Sequence, residues 1–375
     1  MIILGIETSC DETAIGILEA KKTKAGFFIN PLSNVVSSQI KIHKKYGGIV
    51  PMLASREHTK NIPFVFKKSL REAFGSEKNA PAKIDLIAVT KGPGLILSLL
   101  IGVNFAKTLA WAWKKPIIGI NHLEGHLLSF LLPEIKNIKL KTQNIQNTGY
   151  KIQNTKSIFP AICLLVSGGH TQLVYITKFG HYKIIGETRD DAAGECFDKG
   201  ARILDLEYPG GPIVAKMATK IKNKKSKIKN IHLPRPMIND KNYDFSFSGL
   251  KTALLYLTQE INFKRRKKEL TPILAFELQE AITDVLTAKT IKAAQEFKTK
   301  SIILAGGVSA NQRLKEKFQE MLDERKSAVK LFFPELEYAT DNAIMIALAG
   351  FFQYLHQSQK NWDWKKIEAE ANLRL

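Results

Sequence analysis

Two histidines one helical turn apart, in Asn121-His122-Leu123-Glu124-Gly125-His126-Leu127-Leu128-Ser129-Phe130, are the residues of this sequence best placed to do chemistry. Their stretch follows the strand-like apolar run Pro116 to Ile120, and Leu127, Leu128, Phe130, Leu131 and Leu132 suggest a helix, which would put both imidazoles on one face. Imidazoles at i and i+4 can chelate one Zn²⁺ or Fe²⁺, and a carboxylate or a third imidazole must then arrive from elsewhere in the chain. A zinc peptidase would need its glutamate directly after the first histidine. Glu124 instead comes two positions after His122, roughly 200° round the helix and off the shared face. The same spacing also fits two solvated or core histidines on an amphipathic helix.

Other candidates lie on turns and at helix starts. Asp11 and Glu12 belong to the polar turn Glu7-Thr8-Ser9-Cys10-Asp11-Glu12 between the apolar runs Ile2 to Ile6 and Thr13 to Leu18. Gly92-Pro93-Gly94-Leu95 opens an apolar helix to Trp113, where backbone N–H groups could face an anion, although such a sequence is also an ordinary strand-to-helix turn. Ser167-Gly168-Gly169-His170-Thr171 joins the strands Ala161 to Val166 and Gln172 to Thr177, and its glycines let backbone approach an anion. Asp198 stands early in a helix, where it could accept from ligand hydroxyls or simply satisfy the helix dipole. Asn311, after the glycines of Ala305-Gly306-Gly307-Val308-Ser309-Ala310, offers a polar handle to a base or ribose. Asp341 begins the last apolar helix, as an N-cap shared with Thr340 or as the free carboxylate that completes a metal site.

The elements that must position these residues fall into two halves. A chain of 375 residues with 45% hydrophobic and 24% charged residues fits two lobes of ordinary size around a cleft. Each half opens with an apolar hairpin closed by a polar turn. Such a duplication is what a two-lobed α/β nucleotide-binding fold of the actin, Hsp70 and sugar-kinase (ASKHA) type would give, each turn gripping phosphates from one side. Between Pro133 and Phe159 the pattern collapses into Lys, Asn, Gln and Thr, which reads as an insertion or linker at the lobe boundary. The expected division is therefore 1–132, completed by the C-terminal helix at about 338–356, then the insertion 133–159, then a second lobe 160–337.

Composition narrows the function. The net charge of +21, from 56 Lys and Arg against 35 Asp and Glu, favours a polyanionic partner such as RNA, unless runs such as Lys220 to Asn230 are merely solvated loop. No apolar run reaches the eighteen or so residues of a membrane span, and the N-terminus reads as a strand rather than a signal peptide. Cys10, Cys163 and Cys196 form no Cys-x-x-Cys pair, so a reducing cytoplasm is expected.

The strings Gly5-Ile6-Glu7-Thr8-Ser9-Cys10-Asp11-Glu12-Thr13, Gly92-Pro93-Gly94-Leu95, Asn121-His122-Leu123-Glu124-Gly125-His126, Leu165-Val166-Ser167-Gly168-Gly169-His170-Thr171, Asp191-Ala192-Ala193-Gly194-Glu195, Phe197-Asp198-Lys199, Tyr208-Pro209-Gly210-Gly211-Pro212, Gly306-Gly307-Val308-Ser309-Ala310-Asn311 and Thr340-Asp341-Asn342 together resemble the bacterial TsaD family. The resemblance spans residues 1 to about 356 in the family's order. It implies an actin-like fold and transfer of a threonylcarbamoyl group from threonylcarbamoyl-adenylate to the N6 amine of the adenosine just 3′ of the anticodon, in tRNAs reading codons that begin with A. It implies one divalent metal, Fe²⁺ ahead of Zn²⁺, on His122, His126 and Asp341. It also implies substrate contacts from Leu165, Val166, Ser167, Gly168, Gly169, Asp198, Gly211 and Asn311, and partners in tRNA, a TsaB-like paralogue and a TsaE-like ATPase, with no membrane. Asp11 or Glu12 could take up the amine proton. Departures are the two Lys/Asn-rich stretches and Ala215, which stands where some members carry an acidic ligand contact. The rivals are a metallopeptidase, against which Glu124 is misplaced, and a non-catalytic ATP-binding scaffold, which would lack the histidine pair and Asp341.

Overall fold

The structure is a computed structural model that describes residues 1–24, 26–132, 150–153, 157–221, 231–356 and 363–375. Most of the insertion expected at 133–159, and residues 222–230 of the Lys-rich run, lie outside these. The chain is mixed α/β and divides into two units, one of Met1–Ser157 with Pro334–Leu375 and the other of Ile158–Phe333.

The first unit is built on a six-stranded sheet of β1 (Ile2–Glu7), β2 (Glu12–Thr23), β3 (Gly26–Ser38), β4 (Leu86–Gly92), β5 (Ile117–Asn121) and β6 (Tyr150–Gln153), in the order β5-β4-β1-β2-β3-β6. β1, β4 and β5 run parallel, whereas β2 and β3 return antiparallel as a long hairpin meander. β1 is a continuous apolar run because both its faces are covered. Leu4 and Ile6 pack with Ile62 and Val65 of the helix Pro51–Phe74 and with Val103 and Ala106 of the helix Ile96–Trp113. On the other face a Cβ built on Gly5 would stand 2.0 Å from the Ala343 carbonyl oxygen, so only glycine lets the helix Ala343–His356 lie directly on the strand. Strand alternation puts Ile3, Gly5 and Glu7 on that second face.

β6 corrects one expectation. Part of the stretch read as a structureless insertion pairs antiparallel with β3, Tyr150 opposite Ile29 and Gln153 opposite Gly26. A second correction concerns Ile96–Trp113, which has eighteen residues and is apolar enough by composition to cross a membrane. Here its Leu99, Val103, Ala106 and Ala110 are buried against the unit, and Lys107 in its middle donates to the Ile367 carbonyl.

The second unit carries a five-stranded sheet of β7 (Ala161–Val166), β8 (Thr171–Lys178), β9 (His181–Glu187), β10 (Ser301–Ala305) and β11 (Lys330–Phe332), in the order β11-β10-β7-β8-β9. The pattern of parallel and antiparallel neighbours is the one found in β5-β4-β1-β2-β3. Ile162, Leu164 and Val166 of β7 meet a core formed by the helices Ala193–Ile203, Gly210–Thr219, Ser248–Glu260 and Lys267–Glu296. The last of these starts five residues before Pro272, so the proline lies inside the helix.

Candidate metal centre

The helix His122–Leu128 begins where β5 ends. Its start is set by Asn121, whose Oδ1 accepts from the Leu123 N–H at 2.9 Å while its Nδ2 donates to the Arg374 carbonyl. Both histidines are buried, with ring centroids 4.8 Å apart and edge to face. Glycine at 125 matters here too, because a Cβ would meet Ile346 and Met345 at 2.9 and 3.0 Å, and this close packing brings the helix Ala343–His356 alongside. That helix is capped by Asn342, whose Oδ1 accepts from Met345 N, and not by Thr340 or Asp341 as the sequence suggested. Asp341 is left facing the imidazoles.

The His126 Nε2 lies 3.1 Å and the His122 Nε2 3.5 Å from the Asp341 Oδ1, and the candidate ligand atoms of the three residues all lie within 4.8 Å of one another. This is a donor set of two nitrogens and one oxygen that fits a single divalent transition metal and leaves coordination positions for a substrate. Asp341 keeps 21% of its side-chain surface exposed, so the group is reachable from solvent.

Glu7 accounts for the orientation of His122. Its carboxylate, fully buried at the end of β1, accepts from the His122 Nδ1 at 2.8 Å, from the Thr90 hydroxyl at 2.6 Å and from the Ser9 N–H. A carboxylate accepts only, so Nδ1 carries the proton and Nε2 is the nitrogen offered to a metal, the outer-sphere arrangement common at histidine sites. The Ser9 hydroxyl adds a contact to the same Nδ1 at 3.2 Å. Burial alone would lower the His122 imidazole, but the charges of Glu7 and Asp341 outweigh it and hold it well above its ordinary range. Burial pushes Asp341 and Glu7 the other way, and the His122 charge and hydrogen bonds hold both below the usual carboxylate range. The Nδ1 of His126, by contrast, is buried with no hydrogen-bond partner among the described residues.

Asp11 and Glu12 stand on the β1–β2 turn beside this cluster. Burial and the adjacent Asp11 carboxylate push Glu12 well above the usual range, with Asp341 adding to the effect and the Ser38 hydroxyl opposing it. Glu124 points elsewhere: its carboxylate accepts from the Gln353 amide.

The Gly-Pro-Gly turn does not hold its N–H groups out to an anion. Gly94 N donates to the Ala371 carbonyl and Leu95 N to the Ser9 carbonyl. A Cβ on Gly92 would fall 1.9 Å from the Glu370 carbonyl oxygen, so the turn is a platform for the chain's own C-terminal segment.

The remaining candidates gather in the second unit around the C-terminal end of β7. Leu165 and Val166 have buried side chains, so contact from them is through backbone. The turn is closed by Ser167 N donating to the His170 carbonyl and His170 N to the Ser167 hydroxyl, and a Cβ on Gly168 or Gly169 would meet only open space. The helix Ala193–Ile203 starts against it, Gly194 N donating to the Ser167 carbonyl. Asp198 accepts from the Gly210 N–H at 2.7 Å and so caps the helix that carries Gly211; burial raises its carboxyl against the lowering effect of the Gly210 and Gly211 N–H groups. Gly306, at φ +82 and tight against the Val166 carbonyl, begins the stretch to Asn311. Asn311 Oδ1 caps the helix Gln312–Glu324 and its Nδ2 donates to Gln279, so it is an N-cap as well as a candidate handle.

Residues 30–139 and 143–348 match the TsaD family, tRNA N6-adenosine threonylcarbamoyltransferase. A protein of that name from Persephonella marina is 43% identical over 378 residues, covering 100% of this chain and 96% of the relative. Another from Thermosipho africanus is 43% identical over 377 residues and covers 100% of both. The chain belongs to the TsaD family. Among solved structures, YeaZ from Pseudomonas aeruginosa aligns at 14% identity over 49% of this chain and 65% of that one, with a TM-score of 0.27. Likeness at that level carries no argument, and the TsaD assignment rests on the sequence matches. Within this family member, Glu7, Ser9 and Thr90 are the residues around the histidines that motif reading passed over. The available signal was a carboxylate on the inward face of a buried apolar strand, one that alternation from Ile3 and Gly5 points into the protein.

Proposed function

We propose that the chain transfers the threonylcarbamoyl group of threonylcarbamoyl-adenylate to the N6 amine of the adenosine just 3′ of the anticodon, in tRNAs reading codons that begin with A, forming t6A. The amine nitrogen bonds to the carbamoyl carbon, the bond from that carbon to the adenylate phosphate oxygen breaks, and AMP leaves. An exocyclic adenine amine is a weak nucleophile, so the protein must hold it close to the carbonyl and stabilise the departing phosphate. The mixed anhydride is already activated, and no covalent protein nucleophile is needed.

His122, His126 and Asp341 hold the metal in this reading, Fe²⁺ ahead of Zn²⁺, and Glu7 sets the His122 ring. When bound, the metal supplies a Lewis acid or an anchor for the threonylcarbamoyl part. Asp11 or Glu12 takes up the amine proton in this reading; burial and the Asp11 charge raise the Glu12 carboxyl above the usual carboxylate range, which makes it a stronger base than a free glutamate. Gly168 and Gly169, open to solvent on their Cβ side, receive the adenylate phosphate, with Leu165, Val166, Ser167, Asp198, Gly211 and Asn311 around the nucleoside. The repeated strand order of the two sheets supports an actin-like (ASKHA) fold. A TsaB-like paralogue and a TsaE-like ATPase are the expected partners, in the cytoplasm, where the tRNA is.

The observation that carries the reading is full-length similarity to TsaD relatives together with two imidazoles and a carboxylate converging in one place. It disfavours the scaffold reading, and the engagement of Glu124 by Gln353 disfavours a peptidase. Mass analysis of tRNA nucleosides after depleting the protein tests it. Loss of t6A is expected, restored by the wild-type chain but not by His126→Ala or Asp341→Ala. Unchanged t6A after depletion would overturn it.

A further inference from the structure

Behind the Asp11–Glu12 turn lies a buried polar chain that the transfer reaction does not use directly. Gln39, His43, His58 and Thr13 are each at most 1% exposed. Val50 N donates to the His43 Nδ1 at 3.3 Å, which makes the His43 Nε2 the donor to the Gln39 Oε1 at 3.1 Å. The Gln39 amide nitrogen is thereby turned toward the Ala54 carbonyl and the His58 Nδ1. The Thr13 hydroxyl reaches the same Nδ1 at 2.8 Å, and the His58 Nε2 lies 3.0 Å from the Cys10 carbonyl oxygen. A carbonyl only accepts, so the His58 Nε2 carries the proton and Nδ1 accepts from Thr13 and Gln39. Every member has one consistent donor direction, and His58 is neutral in it. Burial, too, holds the imidazole below its ordinary value, against the upward pull of the Cys10 carbonyl and of Glu7 and Asp11.

The end of the chain is the turn itself. Three consecutive carbonyls there are held by three different parts of the first unit: Ser9 by Leu95 N at 2.8 Å, Cys10 by the His58 Nε2 and Asp11 by Gln39 N at 3.0 Å. Two of these donors are backbone groups. The Cys10 contact is made by a side chain, from the helix Pro51–Phe74, and it immediately precedes Asp11 and Glu12.

We propose that His58 is a positioning residue, which by holding the Cys10 carbonyl sets where the Asp11 and Glu12 carboxylates stand during threonylcarbamoyl transfer. The inference rests on the proposed transfer reaction and on the proton-accepting role of that turn. A side chain misplaced by about 1 Å lowers the rate of a positioned reaction by up to about a hundredfold without a lost ligand contact.

Two substitutions separate positioning from mere packing. His58→Gln carries an amide N–H to the Nε2 position and keeps the donor to Cys10, whereas His58→Asn reaches only the Nδ1 position and loses it. Assayed as full chains with the partner proteins, His58→Asn is expected to lower kcat by about ten- to a hundredfold with KM for tRNA and metal content unchanged. His58→Gln is expected to stay within about threefold of wild type. A wild-type kcat in His58→Asn, or equal losses in both variants that follow their melting temperatures, overturns the proposal. If His58→Asn does not fold, imidazole ¹⁵N shifts of the wild-type protein decide, since a proton on the His58 Nδ1 contradicts the proposal and one on Nε2 supports it. Failure of the underlying function is read separately, as absence of t6A formation by the wild-type protein itself.

Discussion

Glu7 and Glu12, five positions apart on one hairpin, are carboxylates put to opposite uses by their surroundings. Glu7 accepts three hydrogen bonds, and although burial would raise it, the His122 charge and hydrogen bond hold it below the usual carboxylate range. Replacing it by Gln lets an amide N–H meet the His122 Nδ1 and favours the wrong tautomer. Metal affinity should then fall by about ten- to a hundredfold in a chelator competition, the usual effect of losing an outer-sphere partner. Glu12 is raised instead, so the folded protein keeps its proton over a pH window in which the unfolded chain, with the ordinary value of 4.5, has released it. The folded state therefore binds more protons than the unfolded state there, and stability falls as pH rises through the window. Glu12→Gln should accordingly melt higher than wild type at neutral pH and equally at about pH 4, while forming less t6A. A melting curve pair at the two pH values checks this, and a variant less stable at neutral pH would remove the elevated carboxyl from the account. Glu12 could be picked from the sequence as a turn carboxylate. For Glu7, strand alternation gives only that the carboxylate points inward; its role could not be read, because its partners Thr90 and His122 come from a strand and a helix that the local pattern does not connect to it.

At the scale of elements, the helix Ala343–His356 decides whether a metal site exists. It must lie on β1 and against the histidine helix for Asp341 to reach both imidazoles, and it does so over Gly5 and Gly125. The two glycines differ in what opposes them. On Gly5 an added methyl meets the Ala343 backbone carbonyl, which moves only if the helix moves, whereas on Gly125 it meets side-chain atoms, the Ile346 Cδ1 and the Met345 Cγ, which a rotamer change can shift. Gly5→Ala should destabilise by about 3 kcal/mol and lower metal occupancy, and Gly125→Ala by about 1 kcal/mol with occupancy largely kept. Denaturant midpoints and metal analysis on the two variants measure the contrast; equal effects would mean the helix is held by contacts elsewhere. Apolar spacing made the histidine helix and this last helix legible in the sequence. It failed where side chains carry little information: β6 joins the sheet through the β3 backbone inside a Lys/Asn/Gln-rich stretch.

Across the whole molecule, the repeated hairpin seen in the sequence became a five-strand pattern shared by the two sheets, to which β6 is added in the first, because β1–β2 and β7–β8 occupy the same place in that pattern. The net charge of +21 is a property at the same scale. Binding of tRNA by a surface rich in Lys and Arg releases condensed counterions, so log affinity should fall with log salt by about 0.7 to 0.9 per phosphate neutralised. The adenylate, carrying a single phosphate and held by backbone turns, should respond far less. The adenosine must also leave its stack for its N6 amine to reach the carbamoyl carbon, which favours an anticodon loop over duplex RNA. Measuring the binding of tRNA and of the adenylate separately across a salt series, with the partner proteins present, should therefore give a slope several times steeper for tRNA. If the two slopes were equal, the lysine excess would belong to solvated loops, and recognition of the RNA would have to come from the partners or from contacts that carry no charge.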